Sequence, residues 1–287
     1  MKAARFDLVR PRDLAEALDA LAETAGVVKV MAGGQSLGPM LNLRLVEPDM
    51  IVDISAVPEL RRFEREGDAL VVGAGCTHAD FEDGRAPDVG QDMLARVASG
   101  IAYRAVRNRG TIGGSLAHAD PAADWATTLL TLGADVELAS KTAARKLPLR
   151  EFLTGALSTA LRADELVVAV RIPQASPTAG FGYVKHARKI GEFANALGAA
   201  LIDLDAGAGR AVIGAIDGPP IVFADAGILF GGRIGPDIRA FDRSVADAAL
   251  KAAGVASEAA RHVHVEILRR ALAQALDRAP ASARAAA

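Results

Sequence analysis

Two short glycine segments carry the strongest chemical signal in this sequence. The first, Ala32-Gly33-Gly34-Gln35-Ser36-Leu37, follows the apolar run Val27-Val28-Lys29-Val30-Met31. Adjacent glycines reach backbone angles closed to other residues and leave no Cβ to block close approach. Successive N–H groups in such a turn can converge on one anion. Ser36 adds a hydroxyl for a phosphate or for capping a following helical turn. The second segment is Arg109-Gly110-Thr111-Ile112-Gly113-Gly114-Ser115. It lies ahead of a predicted helix, whose N-terminal end brings partial positive charge. Thr111 and Ser115 bring hydroxyls. Taken alone, each segment reads more readily as a tight turn than as a phosphate site. Two of them in one chain suit a ligand with two phosphates and a long polar tail.

Other chemistry-bearing residues give weaker patterns. Val72-Gly73-Ala74-Gly75-Cys76-Thr77-His78 begins like a dinucleotide fingerprint, but the third glycine position is His78, and Asp83-Gly84 and Pro87 interrupt the helix that should follow. A Rossmann site is therefore rejected. Asp120 reads as a helix cap, and Asp124 as either a solvated helix residue or a ligand contact. His262 and His264, two apart, fall on different faces of a helix. No His, Asp or Glu cluster stands at zinc spacing, and no nucleophile elbow is present, so neither a metal nor a catalytic residue is assigned.

The elements that must position these residues follow from periodicity. Pro11 to Ala25 reads as a helix stopped by Gly26, with Leu14, Leu18 and Leu21 at helical spacing. Val27–Met31 and Met50–Ile54 read as strands, so the first 55 residues form a small α/β unit with parallel pairing. Ala69 to Val72 is a strand, and Asp88 to Ala102 has a helical period. Arg107 to Ala119 reads as a loop because it lacks periodicity. Pro121 to Leu132 is a helix with Asp120 as its cap and Gly133 as its stop. Strand-like runs follow at Val136–Leu138 and Leu166–Ile172. Pro173 to Gly180 is the clearest boundary. Beyond it come strands near Phe181–His186, Ala194–Leu204 and Ala211–Ile216, then an Ala-rich helical region from Asp242, with a frayed end over Ala279 to Ala287.

Composition narrows the function classes. The 287 residues are 51% hydrophobic but only 4% aromatic, so aliphatic side chains build the core. The net charge of −2 leaves no basic excess for nucleic acid. No apolar run has the length of a signal peptide or a membrane span, and the chain reads as cytoplasmic. The single cysteine, Cys76, makes no internal disulfide and cannot supply the thiolates of an iron–sulfur cluster.

Taken in order, these residues resemble the FAD-binding medium subunits of molybdenum hydroxylases, the family of the carbon monoxide, xanthine, nicotine, quinoline and caffeine dehydrogenases. The likeness runs from Phe6 and Pro11 through Ala32–Leu37 and Leu43-Arg44-Leu45, then Gly73-Ala74 with Thr77-His78. It continues through Val106–Ser115 and Leu116–Asp124, and through Tyr183, Lys185 and Arg188–Ala194. Departures are small: Ser115 stands where Asn is common, Leu8 where Tyr is common and Cys76 where Thr is common.

The resemblance implies an α+β fold of the vanillyl-alcohol-oxidase/PCMH type that grips noncovalent FAD, with a C-terminal antiparallel sheet and helices. The implied divisions are 1–55, 56–173 and 174–287. By residue match, Ala32, Gly33, Gly34, Gln35 and Ser36 hold the pyrophosphate through backbone N–H groups. Thr111, Ile112, Gly113, Gly114 and Ser115 wrap the pyrophosphate and ribityl region. Thr77, Asp124 and Lys185 make secondary contacts, Lys185 near the flavin ring, where a cation favours the anionic reduced form. The implied partners are a large molybdopterin-binding subunit and a small subunit with two [2Fe–2S] clusters, assembled as a dimer of heterotrimers. In that reading the chain moves electrons from those clusters to an external acceptor, and substrate is oxidised on another chain. The competing readings are a stand-alone flavin oxidase of the same fold with its own substrate pocket, which covalent attachment of FAD through His78 or Cys76 would favour, and a flavin-free scaffold.

Overall fold

The computed structural model describes residues 2–280. Its first sheet is parallel and three-stranded, with β1 (Asp7–Val9), β2 (Val28–Met31) and β3 (Met50–Asp53) in the order β1-β3-β2. Parallel neighbours need crossovers. These carry α1 (Leu14–Glu23) and the short α2 (Leu37–Asn42). Helix α1 buries Ala17, Leu18 and Leu21 in a cluster with Val52 and Ile54. It starts later than Pro11, because the Asp13 carboxylate accepts the Glu16 N–H at 2.8 Å and fixes the cap there.

The second sheet is antiparallel. Strands β4 (Phe63–Glu66), β5 (Ala69–Gly73), β6 (Asp135–Ala139) and β7 (Ala144–Pro148) are joined, after a hairpin of β8 (Leu153–Gly155) and β9 (Ser158–Thr159), by β10 (Leu166–Pro173). The order is β4-β5-β10-β6-β7. Because β5 pairs antiparallel on both sides, the run from Gly73 to His78 is no dinucleotide fold. Gly73 and Gly75 instead admit the Leu60 carbonyl, which would lie 2.4 and 2.9 Å from a Cβ at each.

Six short helices belong to this unit: α3 (His78–Glu82), α4 (Met93–Ser99), α5 (Arg104–Arg107), α6 (Ile112–His118), α7 (Asp124–Leu132) and α8 (Leu149–Phe152). Three expectations from the sequence are corrected here. The helix expected over Asp88–Ala102 is confined to Met93–Ser99, since Gln91 and Asp92 have φ of 54° and 50°. The loop expected over Arg107–Ala119 is largely helix α6. Its glycines fail to break it because they are needed for packing: a Cβ at Gly113 would lie 2.4 Å from that of Ala74. The helix expected from Pro121 begins at Asp124, and Asp120 closes the turn before it by accepting the Ala122 N–H at 2.9 Å.

The third sheet is an antiparallel meander of β11 (Ala179–His186), β12 (Ala196–Asp203), β13 (Ala208–Gly214) and β14 (Ile221–Phe223). It is followed by α9 (Arg243–Ala252) and α10 (Glu258–Arg278). Side chains alternate along β11. Gly180 and Gly182 face α10, with backbone so close that a Cβ would meet the Ala275 and Ala271 carbonyls at 1.9 and 1.8 Å. Phe181, Tyr183 and Lys185 face α7, and Phe181 joins Trp125 and Leu129 in the main core.

Near the C-terminus, Arg269 and Arg270 both clasp Glu266 on their own helix, so they form no free cationic patch. His264 is buried between the Ala260 and Ala215 carbonyls. Ala279 is buried too, so fraying does not begin there. The rest of the expected frayed end, 281–287, lies outside the described residues. Among the described residues, no helix is long and apolar enough to cross a membrane.

Candidate functional site

The two glycine segments meet. A Cβ on Gly33 would lie 1.9 Å from the Arg109 carbonyl oxygen and 2.9 Å from the Gly110 Cα. Backbone therefore touches backbone, and both segments line one cavity of about 400 Å³, a volume suited to a cofactor. The cavity runs between the first sheet, α6, the start of α7 and the end of β11.

The two walls offer different chemistry. Among the described residues, the N–H groups of Gly33, Gly34, Gln35 and Ser36 donate to no protein acceptor, although all four residues line the cavity. Gly34 has φ of +73°, the left-handed turn expected of a glycine nest. Donors on the opposite wall are already committed. Ile112 and Gly113 donate to the Cys76 and Ala74 carbonyls, each at 3.0 Å, and Gly114 donates to Thr111 Oγ1 at 3.1 Å. That wall presents Thr111, Gly113, Gly114 and the hydroxyl residue Ser115 to the cavity.

Two of the expected contact residues stand behind the wall. Ile112 is fully buried core, and Thr77 caps α3 through a reciprocal pair with Asp80 while bridging to Thr111. Neither lines the cavity. Their types explain this: Ile112 is apolar, and the Thr77 hydroxyl is consumed by its capping box.

Asp124 and Lys185 both line the cavity and hold each other. Lys185 Nζ lies 3.0 Å from Asp124 Oδ1, and it also donates toward the Gly100 carbonyl at 3.4 Å. The Tyr183 hydroxyl donates to the same Asp124 oxygen. Burial pushes the Asp124 carboxyl above its ordinary range, against the pull of Lys185 and the Tyr183 hydrogen bond. Burial and the neighbouring carboxylate push the Tyr183 hydroxyl well up. The Lys185 ammonium thus faces the cavity paired with the Asp124 carboxyl.

His78 also lines the cavity, and its tautomer is fixed. Trp125 Nε1 donates to His78 Nδ1 at 3.0 Å, so Nε2 carries the ring proton. Burial and the nearby Arg107 push His78 down to about 4. Phe193, 69% exposed, and Glu192 stand at the cavity edge. The aromatic–acidic pair carries no periodic signal. Only the return of the β11–β12 connection over Ala102, whose carbonyl would meet a Cβ on Gly191 at 2.8 Å, brings it there.

Cys76 faces away from the cavity. It is 1% exposed, its thiol donates to the Arg62 carbonyl at 3.4 Å, and burial raises it to about 12. A thiol so placed is a poor nucleophile. Cys76→Ser is expected to keep that hydrogen bond, to cost no more than about 1 kcal/mol, and to leave the flavin content of the purified protein unchanged. A large loss of flavin in this variant, with an unchanged melting temperature, would contradict the placement.

Comparison with known proteins points the same way. Residues 4–175 match the family described as the FAD binding domain in molybdopterin dehydrogenase. The chain is 37% identical over 205 residues to the 6-hydroxypseudooxynicotine dehydrogenase complex subunit alpha of Paenarthrobacter nicotinovorans, covering 71% of this chain and 69% of that one. It is 37% identical to the caffeine dehydrogenase subunit beta of a Pseudomonas species, covering 70% and 69%. Among solved structures, carbon monoxide dehydrogenase from Hydrogenophaga pseudoflava superposes with a TM-score of 0.86 at 29% identity, covering 98% of this chain and 100% of that one.

Proposed function

The chain belongs to the FAD-binding medium subunits of the molybdenum hydroxylases, and we propose that it is the electron-transfer subunit of such a complex, moving electrons from partner iron–sulfur clusters to an external acceptor. It is an oxidoreductase component with an α+β FAD-binding fold. The observation that carries the proposal is the contact of the two glycine segments along one cavity, with four successive N–H groups left to that cavity. Bound FAD exchanges electrons singly or in pairs, and so links one-electron donors to a two-electron acceptor.

The residues divide the work. Ala32 to Ser36 hold the pyrophosphate through the uncommitted N–H groups. Thr111, Gly113, Gly114 and Ser115 form the facing wall, where absent side chains allow close approach and Ser115 adds a hydroxyl. Ile112 and Thr77 stiffen that wall from behind. Asp124 and Lys185 stand on the cavity wall at the end formed by β11. The working divisions are 1–55, 56–173 and 174–287. The partners in this reading are a large molybdopterin-binding subunit and a small [2Fe–2S] subunit, as a dimer of heterotrimers in the cytoplasm.

The test is reconstitution. Expressed alone, the chain should purify yellow, release its flavin to the supernatant on acid precipitation and be bleached by dithionite. It should turn over no purine, N-heterocycle, aldehyde or CO until both partner chains are added. Steady turnover by the single chain overturns the subunit reading.

A further inference from the structure

Asp124 carries more than a contact. It lies on the first turn of α7, 5% exposed, with its two oxygens held by Lys185 Nζ at 3.0 and 3.1 Å and by the Tyr183 hydroxyl. Asp124 and Lys185 both line the cavity assigned above to FAD. Other ionisable groups are held elsewhere. On the elements packed against α7, Arg210 of β13 lies at its opposite end beside Gly133, near Arg150 of α8, and Arg96 of α4 reaches the Gln91 carbonyl. His118 of α6, His78 of α3, Asp120 and Glu192 line the same cavity, but none bonds Asp124.

A buried carboxylate held ionised by one ammonium and one hydroxyl responds to any new negative charge beside it. We propose that Asp124 takes up a proton when the cofactor in this cavity is reduced and gives it back on reoxidation. Two electrons and one proton convert bound oxidised flavin to its singly protonated reduced form. The electrons come from one-electron donors of the iron–sulfur class, or from dithionite in the test. The added negative charge competes with the Asp124 carboxylate for Lys185, and a second proton, drawn from solvent through the cavity mouth, binds Asp124. Reduction thus takes up two protons per two electrons, one of them on the protein. The inference rests on FAD occupying this cavity with its flavin ring at the Lys185 end.

The experiment uses the purified flavin-loaded chain. Infrared difference spectra between reduced and oxidised protein should show a protonated-carboxyl band appearing on reduction, absent in Asp124→Asn. The midpoint potential above neutral pH should fall with pH at the two-proton slope in the wild type and at half that slope in Asp124→Asn. Tyr183→Phe should keep the full slope, because it leaves the carboxylate and its ammonium in place. If Asp124→Asn loses flavin, the wild-type band and slope decide alone. A flavin-bearing wild type with no carboxyl band and the one-proton slope overturns this inference and leaves the FAD assignment standing. A wild type that binds no flavin overturns both.

Discussion

Gly33→Val is expected to yield a folded but colourless protein. The glycine brings two stretches of backbone together, and a Cβ would sit 1.9 Å from the Arg109 oxygen and 2.5 Å from its carbonyl carbon. No rotamer relieves a clash with backbone, so the walls of the cavity must separate. That shift also misplaces the N–H groups from Gly33 to Ser36, consecutive donors that the protein has not used itself among the described residues. Losing two or more oriented N–H bonds to a phosphate anion should weaken FAD binding by at least about 100-fold, roughly 2.7 kcal/mol. The three sheets do not depend on this contact, so far-ultraviolet dichroism and the fluorescence of buried Trp125 should persist. A full complement of FAD in folded Gly33→Val would remove the first segment from the site. Gly114→Val should be milder, since its Cβ would meet a side-chain atom, Thr111 Oγ1, at 2.8 Å.

The largest expected effect on stability is at Gly182. Helix α10 lies directly on β11, and a Cβ there would be 1.8 Å from the Ala271 carbonyl oxygen and 2.8 Å from Ala275 N. A valine must lift the longest helix of the described chain off the third sheet, exposing Leu268, Leu272 and Leu276, all buried beneath it. A cost of about 3–5 kcal/mol follows, at the upper end for overpacking. In a chain of this size it should lower the melting temperature by roughly 10 °C. Gly38→Ala is the control: nothing lies within 4 Å of its Cβ, and it sits inside α2. That variant should be neutral or more stable by up to about 1 kcal/mol. A Gly182→Val protein melting with the wild type would refute the close helix–sheet contact.

By itself the sequence determined the elements that rest on local rules. The strands at Val28–Met31, Met50–Asp53 and Leu166–Pro173 were legible because runs of branched aliphatic residues have few alternatives. So was the stop at Gly133, whose φ of +72° suits glycine. The ordered motifs pointed to the family and its cofactor, since type and spacing survive without geometry. Tertiary structure decided the rest. Helix α6 forms across two glycines because Ala74 needs the space a Cβ would fill at Gly113, and propensity yields to packing. Thr77 and Ile112 sit in the right motifs but behind the wall, because one hydroxyl is spent on a capping box and one side chain on the core. The pairing of Asp124 with Lys185 and Tyr183 spans about 60 residues of chain. Neither local propensity nor spacing encodes such a contact. It arises because alternation along β11 aims every second side chain at α7, and only the docking of the third sheet on that helix brings the charges together.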